Sequence, residues 1–254
     1  MAPTRDIDFV SGFARGLKVI EAFGEDTPRL AIADVARTTG LDRATVRRSL
    51  LTLAQLGYAD YDGKFFALTP KILRLGHTYL SATPLPRIVQ PFLDRLSQDV
   101  GQSASVSVLD GSDIVYVARA SQRRVVSINL MPGSRLPAYC ASMGRVLLAQ
   151  LPKEDALSRL TQSTLKSFTP MTRTDPDDLV RELAVVKLQG YAVIDQELEI
   201  GLRSIAVPLT NSRGKVVAAI NIGAPAASVS IDEMTENYLP PLRQVAVSLA
   251  PLLP

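Results

Sequence analysis

The chain has 254 residues, 46% of them apolar, with a single cysteine (Cys140) and a single histidine (His77). This length suits two domains, and those two counts exclude a disulfide framework, a cysteine–histidine zinc site and a Ser-His-Asp relay with a histidine to spare. The formal charge of +3 is too small to announce a polyanion-binding protein, but it averages −2 over residues 1–28, +4 over 29–74 and +1 over 75–254.

A polyanion is therefore to be sought at residues 29–74. The opening residues hold two acids and no apolar h-region, unlike a secretory signal. The densest apolar run, 216–222, is far shorter than the roughly 20 residues a membrane helix needs. The expectation is a cytoplasmic protein with no membrane partner.

In chain order, Phe9, Phe13, Leu17 and Ile20 recur at helical spacing and predict a first amphipathic helix. Ile32, Val35 and Ala36 mark a second, stopped by Gly40, a residue free to take a positive φ. Asp42 caps a third helix whose apolar positions are Val46, Leu50, Leu53 and Leu56, closed by Gly57. Strands at 58–61 and 64–68 then flank Asp62-Gly63, the dipeptide of a type I′ hairpin. This is the order of a winged helix-turn-helix. On the third helix, Arg43, Thr45, Arg47, Arg48 and Thr52 fall outside the apolar stripe and suit phosphates and guanine edges, while Lys64 lies on the wing. Taken alone, these residues also fit an ordinary solvated helix face.

Thr69-Pro70 reads as an N-cap and N1 proline opening a linker helix to about Leu80, ended by Pro84 and Pro86 and carrying His77 as a structural or inter-subunit residue. A further helix holds Ile88, Val89, Phe92, Leu93 and Leu96 and stops at Gly101. Strands follow at 103–109, 114–119 and 125–130, with a turn at Asp110-Gly111. Helices at 141–151 and 177–189 come next, the second capped by Asp175-Pro176. Strands at 191–194, 204–209 and 216–222 precede a closing helix from Asp232. Hairpin-linked strands with separate helices predict an α+β fold built on an antiparallel sheet.

Three places in this second part invite a small ligand. The helix start at Ser142, Met143 and Gly144 offers unpaired N–H groups to a carboxylate. Ser204 is a lone hydroxyl on a strand face shared with Leu202 and Ala206. Asn221 sits inside an apolar run, where its amide needs a partner. Each also has a purely structural reading, as a helix cap, a strand serine or an asparagine bonded to backbone.

Ordered segments give the chain a family resemblance over nearly all of residues 9–253. They are Ser11-Gly12-Phe13-Ala14-Arg15-Gly16-Leu17, Ala44-Thr45-Val46-Arg47-Arg48 through Leu53, Gly190-Tyr191-Ala192-Val193, and the run from Glu197 to Pro208. With these the chain resembles the IclR-type bacterial transcription regulators. The run from Pro132 to Cys140 and that from Ser142 to Ala149 look like the branch controlling protocatechuate and p-hydroxybenzoate catabolism.

The resemblance implies a winged helix-turn-helix at 9–69, a linker helix at 70–83 and a GAF-like or profilin-like effector domain at 84–254. It implies an effector held at Ser142, Met143, Gly144, Asp195, Ser204 and Asn221. The implied partners are a double-stranded DNA operator, a small organic acid and a second copy of the chain, as homodimer or tetramer, with RNA polymerase a further candidate. Another carboxylic-acid pathway is the alternative within the family.

Enzyme readings are weaker. Cys140 precedes a helix start that could depress its pKa, which would suit a redox sensor or a nucleophile, but the only histidine lies in another helical segment. Asp195, Glu197 and Glu199 alternate without histidine partners, which favours a loop network over a metal. The expectation is a non-enzyme with no catalytic residue, metal or cofactor.

Overall fold

The computed structural model describes residues 9–24, 26–122 and 130–254. The chain divides between Ala82 and Thr83 into two units. In the first, helical periodicity produces α1 (Ser11–Ile20), α2 (Ile32–Thr39) and α3 (Arg43–Gln55). Gly40, at φ 69°, takes the left-handed conformation that ends α2 and turns the chain toward α3. The Asp42 carboxylate accepts from the Thr45 N–H at 2.8 Å and so fixes where α3 begins. Val46, Leu50 and Leu53 of α3 close a core with Val19, Val35, Leu30, Ala59 and Phe66.

Three expectations for this unit change. Phe9, Phe13 and Leu17, whose spacing predicts the helix, are exposed, and Phe9 precedes its start. α1 is held instead through buried Val19 and half-buried Ile20, and its earlier turns line an open groove against α3. The wing does not turn on Asp62-Gly63. Strands β2 (Ala59–Tyr61) and β3 (Phe66–Leu68) pair Tyr61 with Phe66, so residues 62–65 form the loop. The Asp62 carboxylate, accepting from the Lys64 and Phe65 N–H groups at 2.9 and 2.7 Å, moves the tight turn one residue on. The wing also gains a third strand, β1 (Arg29–Leu30), antiparallel to β3.

Thr69 caps a single 3-10 turn (Pro70–Ile72), and α4 (Leu73–Ala82) follows it. Pro84 and Pro86 lie beyond the end of α4. They occupy the N-cap and second positions of the next helix, α5 (Leu85–Val100), where proline's missing N–H costs nothing.

In the second unit, strands β4 (Ser103–Asp110), β5 (Asp113–Ala120), β6 (Arg135–Pro137), β7 (Ala192–Asp195), β8 (Leu202–Thr210) and β9 (Val216–Pro225) form one sheet. Its order is β6-β5-β4-β9-β8-β7, and every pairing is antiparallel. The strand expected at 125–130 lies, up to residue 129, outside the described residues, and Leu130 belongs to no strand.

Alternation of side chains divides the core between the two faces of the sheet. On one face Val106, Ile205, Val207, Ile220 and Ile222 meet Val89, Leu93 and Leu96 of α5. The same cluster takes in Leu242 and Leu249 of α10 (Leu239–Leu249), which follows α9 (Ile231–Glu233) and a π-helical turn. On the other face Ile114, Tyr116, Ala206 and Ala219 meet α6 (Ser142–Ala149), α7 (Lys153–Gln162) and α8 (Pro176–Gln189). Helix α7 was not expected from the sequence.

Candidate functional site

Among the described residues, two places combine chemistry with access. The first is the outer face of α3. Arg43, Arg47 and Arg48 are exposed, and among the described residues none has a carboxylate within ion-pair distance. Two other guanidinium groups of the same unit are committed elsewhere: Arg29 to Asp62, and Arg37 to Asp34 at 2.9 Å. Lys71 donates to the Leu56 carbonyl at 2.6 Å, at the C-terminal end of α3. The three unpaired guanidinium groups on α3 are thus free to meet an anion.

Of the two threonines expected on that face, Thr52 is exposed and donates its hydroxyl back to the Arg48 carbonyl at 2.8 Å. Thr45 is buried, because the Asp42 cap draws it under the start of the helix. The same Thr45 bonds hold the Asp42 carboxyl below its ordinary range. On the wing, Lys64 is exposed and lies 5.0 Å from the centre of the Phe65 ring, with Arg29 at 5.5 Å from the same ring. Phe65 therefore carries two cations at the tip of the hairpin.

The second place is a cavity between the sheet and the start of α6. Ser142 and Met143 line it from the helix, Ser204 from β8 and Asn221 from β9. The Ser204 hydroxyl donates to that of Ser142 at 2.9 Å, joining sheet to helix across the cavity wall. Met143 packs its sulfur on the Ser107 hydroxyl at 3.2 Å. Asn221 is buried, and its Oδ1 has no hydrogen-bond partner among the described residues. Ala141, at the N-cap of α6, has no side chain to receive the first N–H groups, although all eight helical residues are buried.

Gly144 and Asp195 do not line this cavity. A Cβ on Gly144 would stand 2.2 Å from the Ala138 carbonyl oxygen and 2.4 Å from its Cα, so glycine there lets α6 lie directly on the preceding turn. Asp195 follows cavity-lining Ile194 on β7 and is spent on Arg203, with Nε at 2.8 Å and Nη2 at 2.7 Å.

The cavity also holds residues that the sequence did not reveal: Arg119, Tyr116, Ser103 and Ser105. Tyr116 and Arg119 are three apart on β5, so strict alternation would put them on opposite faces. A β-bulge intervenes. Ser107 pairs with Tyr116 and Val106 with Ala118, leaving Val117 as the extra residue. Val117 and Ala118 both enter the opposite core, and Arg119 is turned into the cavity. Its Nη1 donates to Ser105 at 3.1 Å, and burial pushes its pKa below the ordinary range. Burial likewise pushes the Tyr116 phenol up to about 12, keeping it neutral and able to donate.

The cavity wall is fastened by a buried ion pair. Arg145 of α6 donates its Nε to the Tyr139 carbonyl at 2.9 Å and its Nη2 to Glu197 at 2.6 Å. Glu197 Oε2 also accepts from the Arg173 N–H at 3.1 Å, and the Glu197 carbonyl accepts from Thr172 at 2.5 Å. Leu198, the next residue, lines the cavity.

Cys140 also lines it, but is fully buried, and burial followed by the Glu197 charge pushes its thiol up to about 12. This overturns the expectation that the helix start depresses it: desolvation outweighs the helix end. Thiol-specific labelling of the folded chain at neutral pH should accordingly be slow and should accelerate on unfolding. Rapid labelling of the native protein would restore the redox reading.

The family model described as the bacterial transcriptional regulator IclR C-terminal matches residues 77–250, and the IclR helix-turn-helix domain model matches residues 13–63. The chain is 46% identical over 238 residues to the Pca regulon regulatory protein of Pseudomonas putida, covering 93% of this chain and 82% of that one. It is 37% identical over 254 residues to the p-hydroxybenzoate hydroxylase transcriptional activator of Acinetobacter baylyi, covering 98% and 94%. Its fold matches that of an IclR homolog from Microbacterium hydrocarbonoxydans crystallised with 4-hydroxybenzoate, at a TM-score of 0.75 and 28% identity over 94% of this chain and 98% of that one.

Proposed function

Because the chain belongs to the IclR family of bacterial transcription regulators, we propose that it reads duplex DNA through α3 and the wing and answers to an aromatic hydroxy acid of the protocatechuate or p-hydroxybenzoate kind. The family makes it a DNA-binding, effector-responsive regulator and not an enzyme.

On this reading residues 9–69 bind DNA, 70–83 form a linker helix and 84–254 hold the effector. Arg43, Arg47 and Arg48 contact the groove and its phosphates, with Lys64 on the flanking backbone and Thr52 beside them. Buried Thr45 acts through the helix cap. A single module contacts few phosphates, so two copies on a symmetric site are required for useful affinity, as a homodimer or a pair of dimers. Such a regulator works in the cytoplasm, where it meets DNA and RNA polymerase.

The observation that carries the effector reading is the cavity itself: it joins Ser142, Met143, Ser204 and Asn221, and it leaves the Asn221 Oδ1 without a partner. A buried amide oxygen without a donor costs stability that a bound hydroxyl recovers. In this scheme Gly144 and Asp195 shape the wall and do not touch the ligand. The names of the relatives, and the 4-hydroxybenzoate in the Microbacterium homolog, support an aromatic acid.

Calorimetry with protocatechuate and 4-hydroxybenzoate, followed by a gel shift on the DNA upstream of the chain's own gene, tests the reading. Ser204→Ala and Asn221→Ala should each weaken acid binding by roughly 3- to 15-fold, the worth of one neutral hydrogen bond. Unaltered binding in both variants would remove the proposed pocket.

A further inference from the structure

We infer that Arg119 is the carboxylate anchor of the effector cavity, and that the N-terminal end of α6 is left to the ring hydroxyl. The inference rests on the effector reading above and fixes the ligand class and its direction in the site: a planar aromatic monocarboxylate entering acid-first against β5.

Arg119 is the one formally charged side chain among the described residues lining the cavity. It is half-buried, and its only polar side-chain contact among those residues is the neutral Ser105 hydroxyl at 3.1 Å. A guanidinium in that position has lost part of its water without gaining a counter-charge, and an incoming carboxylate supplies one through two parallel N–H···O bonds. By contrast the buried Arg145 and Arg203 already hold carboxylates, those of Glu197 and Asp195.

Sheet register gives the ligand its direction. Arg119 lies opposite Ser105, and Ser105 lies opposite Asn221, so the three form one row across β5, β4 and β9. Adjacent strands are about 4.8 Å apart, and the guanidinium already reaches over Ser105. A carboxylate held there sets the ring above β9. The floor at that point is Asn221, 8% exposed, and Gly223, which has no side chain. Beyond it stands the Ser204–Ser142 pair at the start of α6, where unpaired N–H groups favour an oxygen that carries partial negative charge.

The test is calorimetry on the full chain with 4-hydroxybenzoate and with its uncharged counterpart of the same shape, 4-hydroxybenzamide. The wild-type chain should prefer the acid by roughly 10- to 100-fold, the range for a hydrogen bond to a charged group. Arg119→Gln should lose that preference, with the acid weakened by the same factor and the amide little changed. Arg119→Lys, which keeps the charge without the planar fork, should fall between the two.

A wild-type chain that binds acid and amide equally overturns the anchor without recourse to any variant. So does an Arg119→Gln chain that melts normally and keeps the full preference, which would return the carboxylate to the α6 end. If the wild-type chain binds neither compound nor protocatechuate, the effector reading itself fails, a separate result. Should Arg119→Gln not fold, the wild-type ratio and Arg119→Lys decide.

Discussion

Replacing Arg47 by alanine should weaken binding to the chain's own upstream DNA by roughly 10- to 100-fold per half-site at physiological salt. Arg47 lies one turn beyond Arg43 on the exposed side of α3, outside the buried stripe of Val46, Leu50 and Leu53, and none of the described carboxylates pairs with it. Its removal takes away a donor fork without disturbing the core, so the melting temperature should hold. Arg37→Ala is the control. It deletes the same charge from α2, where the guanidinium is already paired with Asp34, and an exposed pair of this kind contributes little. A loss seen equally in both variants would mean that only net charge matters. No loss in Arg47→Ala would remove α3 as the reading helix.

The largest effect on stability should come from Glu197→Ala. Arg145 is 1% exposed, and its counter-charge is Glu197 at 2.6 Å, with the Glu182 carboxylate farther off at 3.7 Å. Removing Glu197 leaves a buried guanidinium without its close partner and the Arg173 N–H without its acceptor. Breaking a buried pair from one side typically costs about 3–5 kcal/mol. For a unit of this size that should lower the melting midpoint by roughly 10 °C. The double replacement Arg145→Met with Glu197→Leu should recover much of the loss, because apolar residues of similar volume need no counter-charge. Leu198 lines the cavity beside the lost anchor, so on the proposed effector reading Glu197→Ala should also weaken binding of the aromatic acid. A single variant that melts like the wild-type chain would show that the pair does not fasten the loop.

The helix-turn-helix could be read in the sequence because each of its parts has a local cause. The glycine stops, the Asp42 cap and the 3.6-residue spacing of Val46, Leu50 and Leu53 are all written within a few residues of where they act. The strand β1 could not be read, since two residues carry no periodicity and Arg29-Leu30 forms a strand only because β3 lies beside it. Helix α7 escaped for a related reason. Only Ala156 and Leu160 of its ten residues are buried, too few to stand out from a polar background. For α1 the spacing was visible and its use was not, because packing on α3 is decided by where the helix is held. In the cavity, Ser142, Met143, Ser204 and Asn221 could be singled out as polar or helix-start residues in apolar surroundings. Arg119 could not: counting by twos along β5 places it on the wrong face, and nothing in Tyr116-Val117-Ala118-Arg119 announces the extra residue.

That extra residue also sets a phase. Before it, β5 presents its odd-numbered side chains away from the cavity, and after it the even-numbered ones. The two ends of the strand are therefore independent registers on one backbone. A change in where the slip occurs would exchange the cation at the cavity for the methyl of Ala118 with no change in composition. If the cavity takes the proposed acid, selectivity there is a property of chain phase as much as of residue identity.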